Sequence, residues 1–334
     1  MTSLEISKHG GGLALEYGHV KLGLDSGLNN ETTLLSHAHA DHLSGIARAY
    51  RIVATKGTLE TLYARGYKVG GKVTTIDIGD SVGQLGVEVT ALNAGHVLGS
   101  TMFLIEFDDD LKLLYTGDFN AVDSLVHKAA KAVQADVLVS EATYGTPEWV
   151  FPDRKEIYRE ILLKASEIMD NGKIPVFQAY SLGKAQEAIA LLHSGGINVV
   201  TGNQKIDDVC KVYKKHGIDL RHISLREKEA SEMIETGCAI VCSAPRYMVR
   251  NLQTEFGHSY TAKLESRFSF FSLSGWTLGE TGKRGFPLSA HTDFPGLIEF
   301  ARQVNPRLVY CFTSNAAQFS VHLTDEGFTA VPLE

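Results

Sequence analysis

With 334 residues, 44% of them apolar and 21% charged, the chain has the composition of an ordinary globular protein, long enough for two domains or for one domain carrying a large insertion. A net charge of −7 argues against a generic polyanion binder, and four scattered cysteines (Cys210, Cys238, Cys242, Cys311) exclude a disulfide framework. No apolar stretch approaches the roughly 18 residues that cross a bilayer, and residues 1–5 lack the features of a signal peptide, so a cytoplasmic protein with no membrane partner is expected.

Short strands are predicted over residues 12–15, 19–24, 32–35, 73–76, 87–92, 102–107, 112–116 and 137–140, separated by glycine turns or by acidic loops such as Asp108-Asp109-Asp110. The pattern then changes. Ile157, Ile161, Ala165 and Ile168 space out a helix that stops at Asn171-Gly172, and strands and helices alternate from there to the strand at 239–242. That rhythm predicts a mostly parallel sheet in residues 152–286. Beyond Pro287 come a strand, a helix over 294–304, a strand over 308–312 and a last short strand. A β-rich body over 1–151 is thus interrupted by an α/β insertion over 152–286 and completed by 287–334, with substrate expected in the cleft between the two parts. The insertion is the basic part of the chain: 19 Lys+Arg against 16 Asp+Glu, compared with 11 against 18 before it and 2 against 5 after it. Arg246, Arg250, Lys263, Arg267, Lys283 and Arg284 supply six of those bases and suit a nucleic-acid backbone or a solvated face equally.

The chemistry is concentrated in Ser36-His37-Ala38-His39-Ala40-Asp41-His42. Extended backbone places His37 and His39 on one side, where both can reach one ion. Asp41 is expected to cap a helix carrying Leu43, Ile46 and Ala47, turning Asp41 and His42 towards a second position. His96, in Gly95-His96-Val97, and Asp118, in Thr116-Gly117-Asp118, follow strands and complete a candidate metal-ligand set of His37, His39, Asp41, His42, His96 and Asp118. Asp25, ending an early strand, is expected to hold one ligand imidazole in a single tautomer. Cys238 and Cys242 read as core thiols. Ser181, Gly183 and Lys184 open a helix whose N–H groups suit a substrate phosphate.

This ligand order resembles that of the metallo-β-lactamase superfamily. Ser140-Glu141-Ala142-Thr143-Tyr144-Gly145, residues 179–187 (AYSLGKAQE) and residues 289–297 (SAHTDFPGL) look like motifs of its β-CASP branch of nucleases, over nearly the whole chain. The resemblance implies an αββα sandwich interrupted by an inserted α/β β-CASP domain. It also implies a metal-dependent nuclease of the mRNA 3′-end-processing-like, ligase-associated exonuclease group, acting on single-stranded RNA or DNA, with a homodimer left open. Asp41, Glu141 and His291 would be catalytic: Asp41 orienting water, and His291, steadied by Glu141, serving the phosphate or leaving oxygen. In the family's RNA-processing members a further histidine ligates a second ion; here Phe312 takes that place, with Cys311 a weak substitute. The expectation is therefore one tight Zn2+ site and a second that is weakened or absent, Mn2+ being an alternative ion. Competing readings are a DNA exonuclease of the repair type, a hydrolase of the same superfamily acting on thioesters or small phosphodiesters, and a nucleic-acid-binding pseudo-nuclease.

Overall fold

In Thr101–Phe107, Phe103, Ile105 and Phe107 alternate with Met102 and Leu104, so both faces of this strand are apolar and both need a cover. The computed structural model, which describes residues 3–29, 31–84 and 86–333, shows what supplies it. Contacts divide the chain into one unit of Met1–Asp123, His127–Val150 and His291–Glu334, and another of Ser124–Val126 and Phe151–Ala290.

The first unit holds a six-stranded sheet in the order Leu4–His9, Gly12–Tyr17, Val20–Leu24, Thr32–Leu34, Arg51–Ala54, Lys72–Thr75. A seven-stranded sheet is ordered Ala330–Pro332, Leu308–Phe312, Val137–Glu141, Lys112–Tyr115, Thr101–Phe107, Val87–Asn93, Ser81–Gln84. Leu15, Leu22 and Leu34 of the first sheet pack with Phe103, Leu113 and Val139 of the second, all fully buried. Each such side chain stabilises the sandwich by roughly 1.5–3 kcal/mol. The second sheet turns Leu114, Leu138 and Val309 outward onto Leu297 and Ala301 of the helix Phe294–Val304 and Phe319 and Leu323 of the helix Ala316–Asp325. The result is the αββα arrangement of the metallo-β-lactamase fold.

The second unit is built on a six-stranded sheet ordered Ile223–Ser224, Val199–Thr201, Ala239–Cys242, Ile174–Gln178, Phe268–Leu273, Gly285–Phe286, parallel at every pairing. Its strands are too apolar to face water: Val176, Val200 and Ile240 are fully buried and pack with Met248 and Leu252 of the helix Pro245–Phe256. This is the α/β insertion of the β-CASP type.

One local expectation fails. Asp41 caps no helix: the chain after the histidine motif makes two single 3-10 turns, Ala40–His42 and Ile46–Arg48, with His39 at the first cap position and no side-chain cap. Gly45 is left-handed (φ 68°), and the Ser44 carbonyl is taken by the Gly27 N–H at 2.9 Å, so the acceptor that a continuing helix needs is already used.

Candidate metal centre

Four donors of the cluster stand at or just beyond a strand end. Thr32–Leu34 leads to His37, Val87–Asn93 to His96, and Lys112–Tyr115 to Asp118, while Glu141 closes Val137–Glu141. Two glycines make the reversals: Gly95 (φ 69°) before His96 and Gly117 (φ 52°) before Asp118. A Cβ on Gly117 would stand 2.6 Å from the Ser36 side chain, so only glycine serves there. The Ser100 hydroxyl accepts from the His96 and Val97 N–H groups at 3.0 and 3.1 Å and holds that loop closed.

The donors converge. His39 Nδ1 lies 3.1 Å from His37 Nε2 and 3.0 Å from His96 Nε2. Asp118 Oδ2 lies 3.6 Å from His37 Nε2, 3.8 Å from His96 Nε2 and 3.3 Å from His42 Nε2. Four donors arranged tetrahedrally around a zinc ion are separated by about 3.3 Å, so this spacing suits one small cation. Chemistry agrees with geometry. Three ring nitrogens facing one another cannot all be satisfied among themselves, and Asp118 Oδ1 is buried with no hydrogen-bond partner among the described residues. An unpaired buried carboxylate oxygen is costly unless a positive group takes it. The residues fit a divalent metal.

Electrostatics prepares the same set. Burial, reinforced by His42, His39 and His96, pushes His37 well below the usual imidazole range, leaving it neutral and able to ligate. Burial opposes ionisation of Asp118, but the His42 and His291 rings outweigh it and hold the carboxyl well below its usual range. Burial likewise opposes charge on His42, and the carboxylates of Asp118 and Asp25 outweigh it, holding this imidazole well above its usual range.

Asp25 braces the group from beneath. Fully buried and left-handed (φ 52°), it accepts from the Ser36 N–H at 2.6 Å and the Tyr115 hydroxyl at 2.8 Å, and its Oδ2 lies 2.7 Å from His42 Nδ1. That contact leaves His42 Nε2 facing Asp118. Glu141, 1% exposed, accepts from the Phe119 N–H at 2.8 Å, and both its oxygens lie 3.0 Å from His291 Nδ1. The His291 Nδ1 therefore carries the proton it donates to Glu141, and the ring sits 4.5 Å from that of His96.

The structure thus gathers Asp25, His37, His39, His42, His96, Asp118, Glu141 and His291 within one unit. Asp41 stands apart: its side chain is 81% exposed, 3.9 Å from His42 Nε2, and belongs to none of the candidate ligand groups among the described residues. Phe312 packs in the inter-sheet core, and burial pushes the Cys311 thiol up to about 12, which makes it a poor ligand. Ser181, Gly183 and Lys184 belong to the other unit, where the Gly183 N–H is taken by Gln186 Oε1 at 2.8 Å and Lys184 Nζ lies 4.7 Å from the Tyr180 ring centre. Sequence reading missed Tyr115 and Ser36 as braces of Asp25. A tyrosine within an apolar strand carries no mark that separates it from core.

Strand-end histidines and aspartates on an αββα sandwich define a metal-binding protein of the metallo-β-lactamase class. Residues 27–190 match the family described as "Beta-lactamase superfamily domain". The chain is 27% identical over 325 residues to a probable DNA ligase of Opitutus terrae, covering 92% of this chain and 29% of that protein. It is 28% identical over 184 residues to an RNase J-like protein of Methanocaldococcus jannaschii (49% of this chain, 44% of that protein) and 31% identical over 193 residues to cleavage and polyadenylation specificity factor subunit 3 of Dictyostelium discoideum (48% and 24%). The chain spans less than half the length of these relatives. A crystal structure of a protein of unknown function from Enterococcus faecalis V583 shares the fold over 100% of this chain and 97% of its own, with a TM-score of 0.64 at 12% identity. The chain thus carries a match to the β-lactamase superfamily domain over residues 27–190 and is similar to relatives in the β-CASP group of nucleases.

Proposed function

We propose that this protein is a metal-dependent nuclease that hydrolyses phosphodiester bonds of single-stranded nucleic acid. The observation that carries the reading is the buried Asp118, one oxygen shared among three histidines and the other unpartnered, next to a His291 held by Glu141. His37, His39, His96 and Asp118 would hold the cation, zinc being the ion this donor set favours, with His42 beside Asp118. Bound there, a divalent cation lowers the pKa of water towards neutrality and offsets charge on phosphate oxygens.

The chain's own residues supply the remainder. Asp25 fixes the His42 ring. Glu141 accepts from His291 Nδ1 and so favours the doubly protonated ring, whose Nε2–H then donates a hydrogen bond or proton to a phosphate or leaving oxygen. Asp41, open to solvent beside His42, orients the attacking water. The segment 151–290 serves as the β-CASP domain that holds the strand being cut.

RNA is the substrate suggested by relatives named as RNA-processing factors. DNA is the second reading: a relative matched over 92% of this chain is a probable DNA ligase, and the resemblance drawn from the sequence puts Phe312 in the place of a histidine of RNA-processing members. Purified protein given Zn2+ or Mn2+ and end-labelled single-stranded RNA and DNA should shorten at least one of them, and an Asp118→Asn variant neither. Both substrates surviving intact with either metal would refute the nuclease reading.

A further inference from the structure

Three strands of the second unit lie side by side, all parallel: Ala239–Cys242, Ile174–Gln178 and Phe268–Leu273, with Val176 paired to Ile240 on one flank and Phe270 on the other. Each runs at its carboxyl end into a segment that exposes a large aromatic ring. Tyr247 follows the first strand and is 65% exposed, Tyr180 follows the second at 63%, and Trp276 follows the third at 52%. Neighbouring strands are about 4.8 Å apart, so the three ring-bearing segments succeed one another along a single sheet edge. Three large aromatic rings exposed in a row along one edge point to a partner with flat apolar faces.

Charge names the partner. Segments 178–184, 202–205, 243–250 and 274–279, which leave the carboxyl ends of four strands of this sheet, contain Lys184, Lys205, Arg246 and Arg250 and no Asp or Glu, in a chain of net charge −7. Arg246 and Arg250 stand one turn apart on the helix Pro245–Phe256, both exposed, with Tyr247 beside them. Lys184 Nζ lies against the Tyr180 ring, 4.7 Å from its centre. Flat apolar rings threaded on a polyanion are the bases of a single strand; in a duplex those faces are already stacked.

We propose that this edge is a stacking platform for single-stranded nucleic acid, with Tyr247, Tyr180 and Trp276 each taking a base and Arg246 and Arg250 taking phosphates. The proposal deepens the nuclease reading and rests on it for the identity of the substrate. Binding of the full chain to a fluorescent ten-nucleotide oligothymidine is compared by anisotropy with binding to an abasic oligonucleotide of the same length and charge. A chelator is present, so that nothing is cut. The intact strand should bind at least tenfold tighter than the abasic one and quench Trp276 fluorescence. Tyr247→Ala, Tyr180→Ala and Trp276→Ala should each weaken binding of the intact strand by about 5- to 100-fold, the range for one base on one ring, with the abasic strand unaffected. Tyr247→Phe, which keeps the ring, should bind as the parent does. Equal affinity for intact and abasic strands, or alanine variants that bind like the parent, would overturn the platform, as would failure to bind either strand. None of these readouts requires catalysis. A protein that binds as expected but cuts nothing when metal is restored would sink the nuclease reading and leave the platform standing.

Discussion

The rings of Phe312 and Tyr115 lie 5.5 Å apart in the core between the sheets, and the Tyr115 hydroxyl donates to Asp25 at 2.8 Å. Phe312 also pairs in register with Glu141 on the neighbouring parallel strand. Residue 312 therefore borders the donor cluster on two sides while contributing only hydrocarbon. An imidazole there would add a nitrogen next to groups that form hydrogen bonds and would hold the cation. Tightly held zinc, measured by elemental analysis after desalting, should be near one per chain in the parent and should rise towards two in Phe312→His. A variant that folds and stays at one would show that the ring position, and not its chemistry, limits the second site.

His291 and the histidines of the cluster should separate by role. His291 touches Glu141 through Nδ1, and the group it forms with Asp118 and Glu141 is separate from the one that contains His37, His39, His96 and Asp118. His291→Ala should keep its metal and lose cleavage by about 10²–10⁴-fold, the usual worth of a positioned acid or base. His37→Ala should lose both metal and cleavage. Loss of metal from the His291 variant, by the same elemental analysis, would place that ring among the ligands instead.

The cluster itself was legible because five of its donors need only short-range features: His37, His39 and His42 share one strand end, and His96 and Asp118 each follow a glycine at another. Glu141 and His291, 150 residues apart, are marked as a pair by their places at the two edges of the insertion, and their role is legible only through the resemblance. What sequence concealed was packing. Tyr115 and Phe312 read as ordinary apolar strand residues, and only the register of the strands reveals that one braces Asp25 and the other lines the site. The failed cap at Asp41 has the same origin, because Leu43 and Ile46 are spaced as in a helix but the Ser44 carbonyl is claimed by Gly27, a partner distant in the chain. The helices Pro245–Phe256 and His258–Glu265 went unrecognised where Phe256-Gly257-His258 breaks one apolar stripe into two.

Asp25 is expected to act not on substrate but through His42 and, by way of the Ser36 hydroxyl that lies 3.0 Å from His37 Nδ1, through the ligand ring of His37. Asparagine tolerates its left-handed backbone and keeps its shape, but offers one acceptor oxygen where the carboxylate has two. Asp25→Asn should therefore fold, and its metal affinity should fall by about 10- to 100-fold, the usual effect of removing a carboxylate behind a ligand imidazole. Competition with a chromogenic chelator reads this directly. Unchanged affinity would leave Asp25 a purely structural residue.

Gly117→Ala tests the turn that aims Asp118. The new Cβ would meet Ser36 at 2.6 Å in a left-handed conformation that costs an alanine about 1–2 kcal/mol before any steric penalty. The melting temperature should drop by several degrees, and metal affinity should drop with it, because Ser36 also hydrogen-bonds Asp25. A variant as stable and as metal-retentive as the parent would show that the loop relaxes without moving Asp118.

The four thiols contribute to the loss of stability at alkaline pH. Burial pushes Cys210, Cys238, Cys242 and Cys311 up to about 12 in the folded chain, whereas an unfolded thiol titrates near its ordinary value, about 8.5–9. A raised folded pKa gives a contribution that is complete below the unfolded value and declines as pH climbs through the window to about 12, since the unfolded chain ionises first. At pH 10 each thiol should already have cost about 1–2 kcal/mol. The urea midpoint should accordingly be lower at pH 10 than at pH 8, and a Cys242→Val variant should lose less over that interval. The same burial should protect all four from iodoacetamide at pH 8 until urea unfolds the chain. Rapid alkylation of the native protein at any of them would contradict the packing that places them in the core.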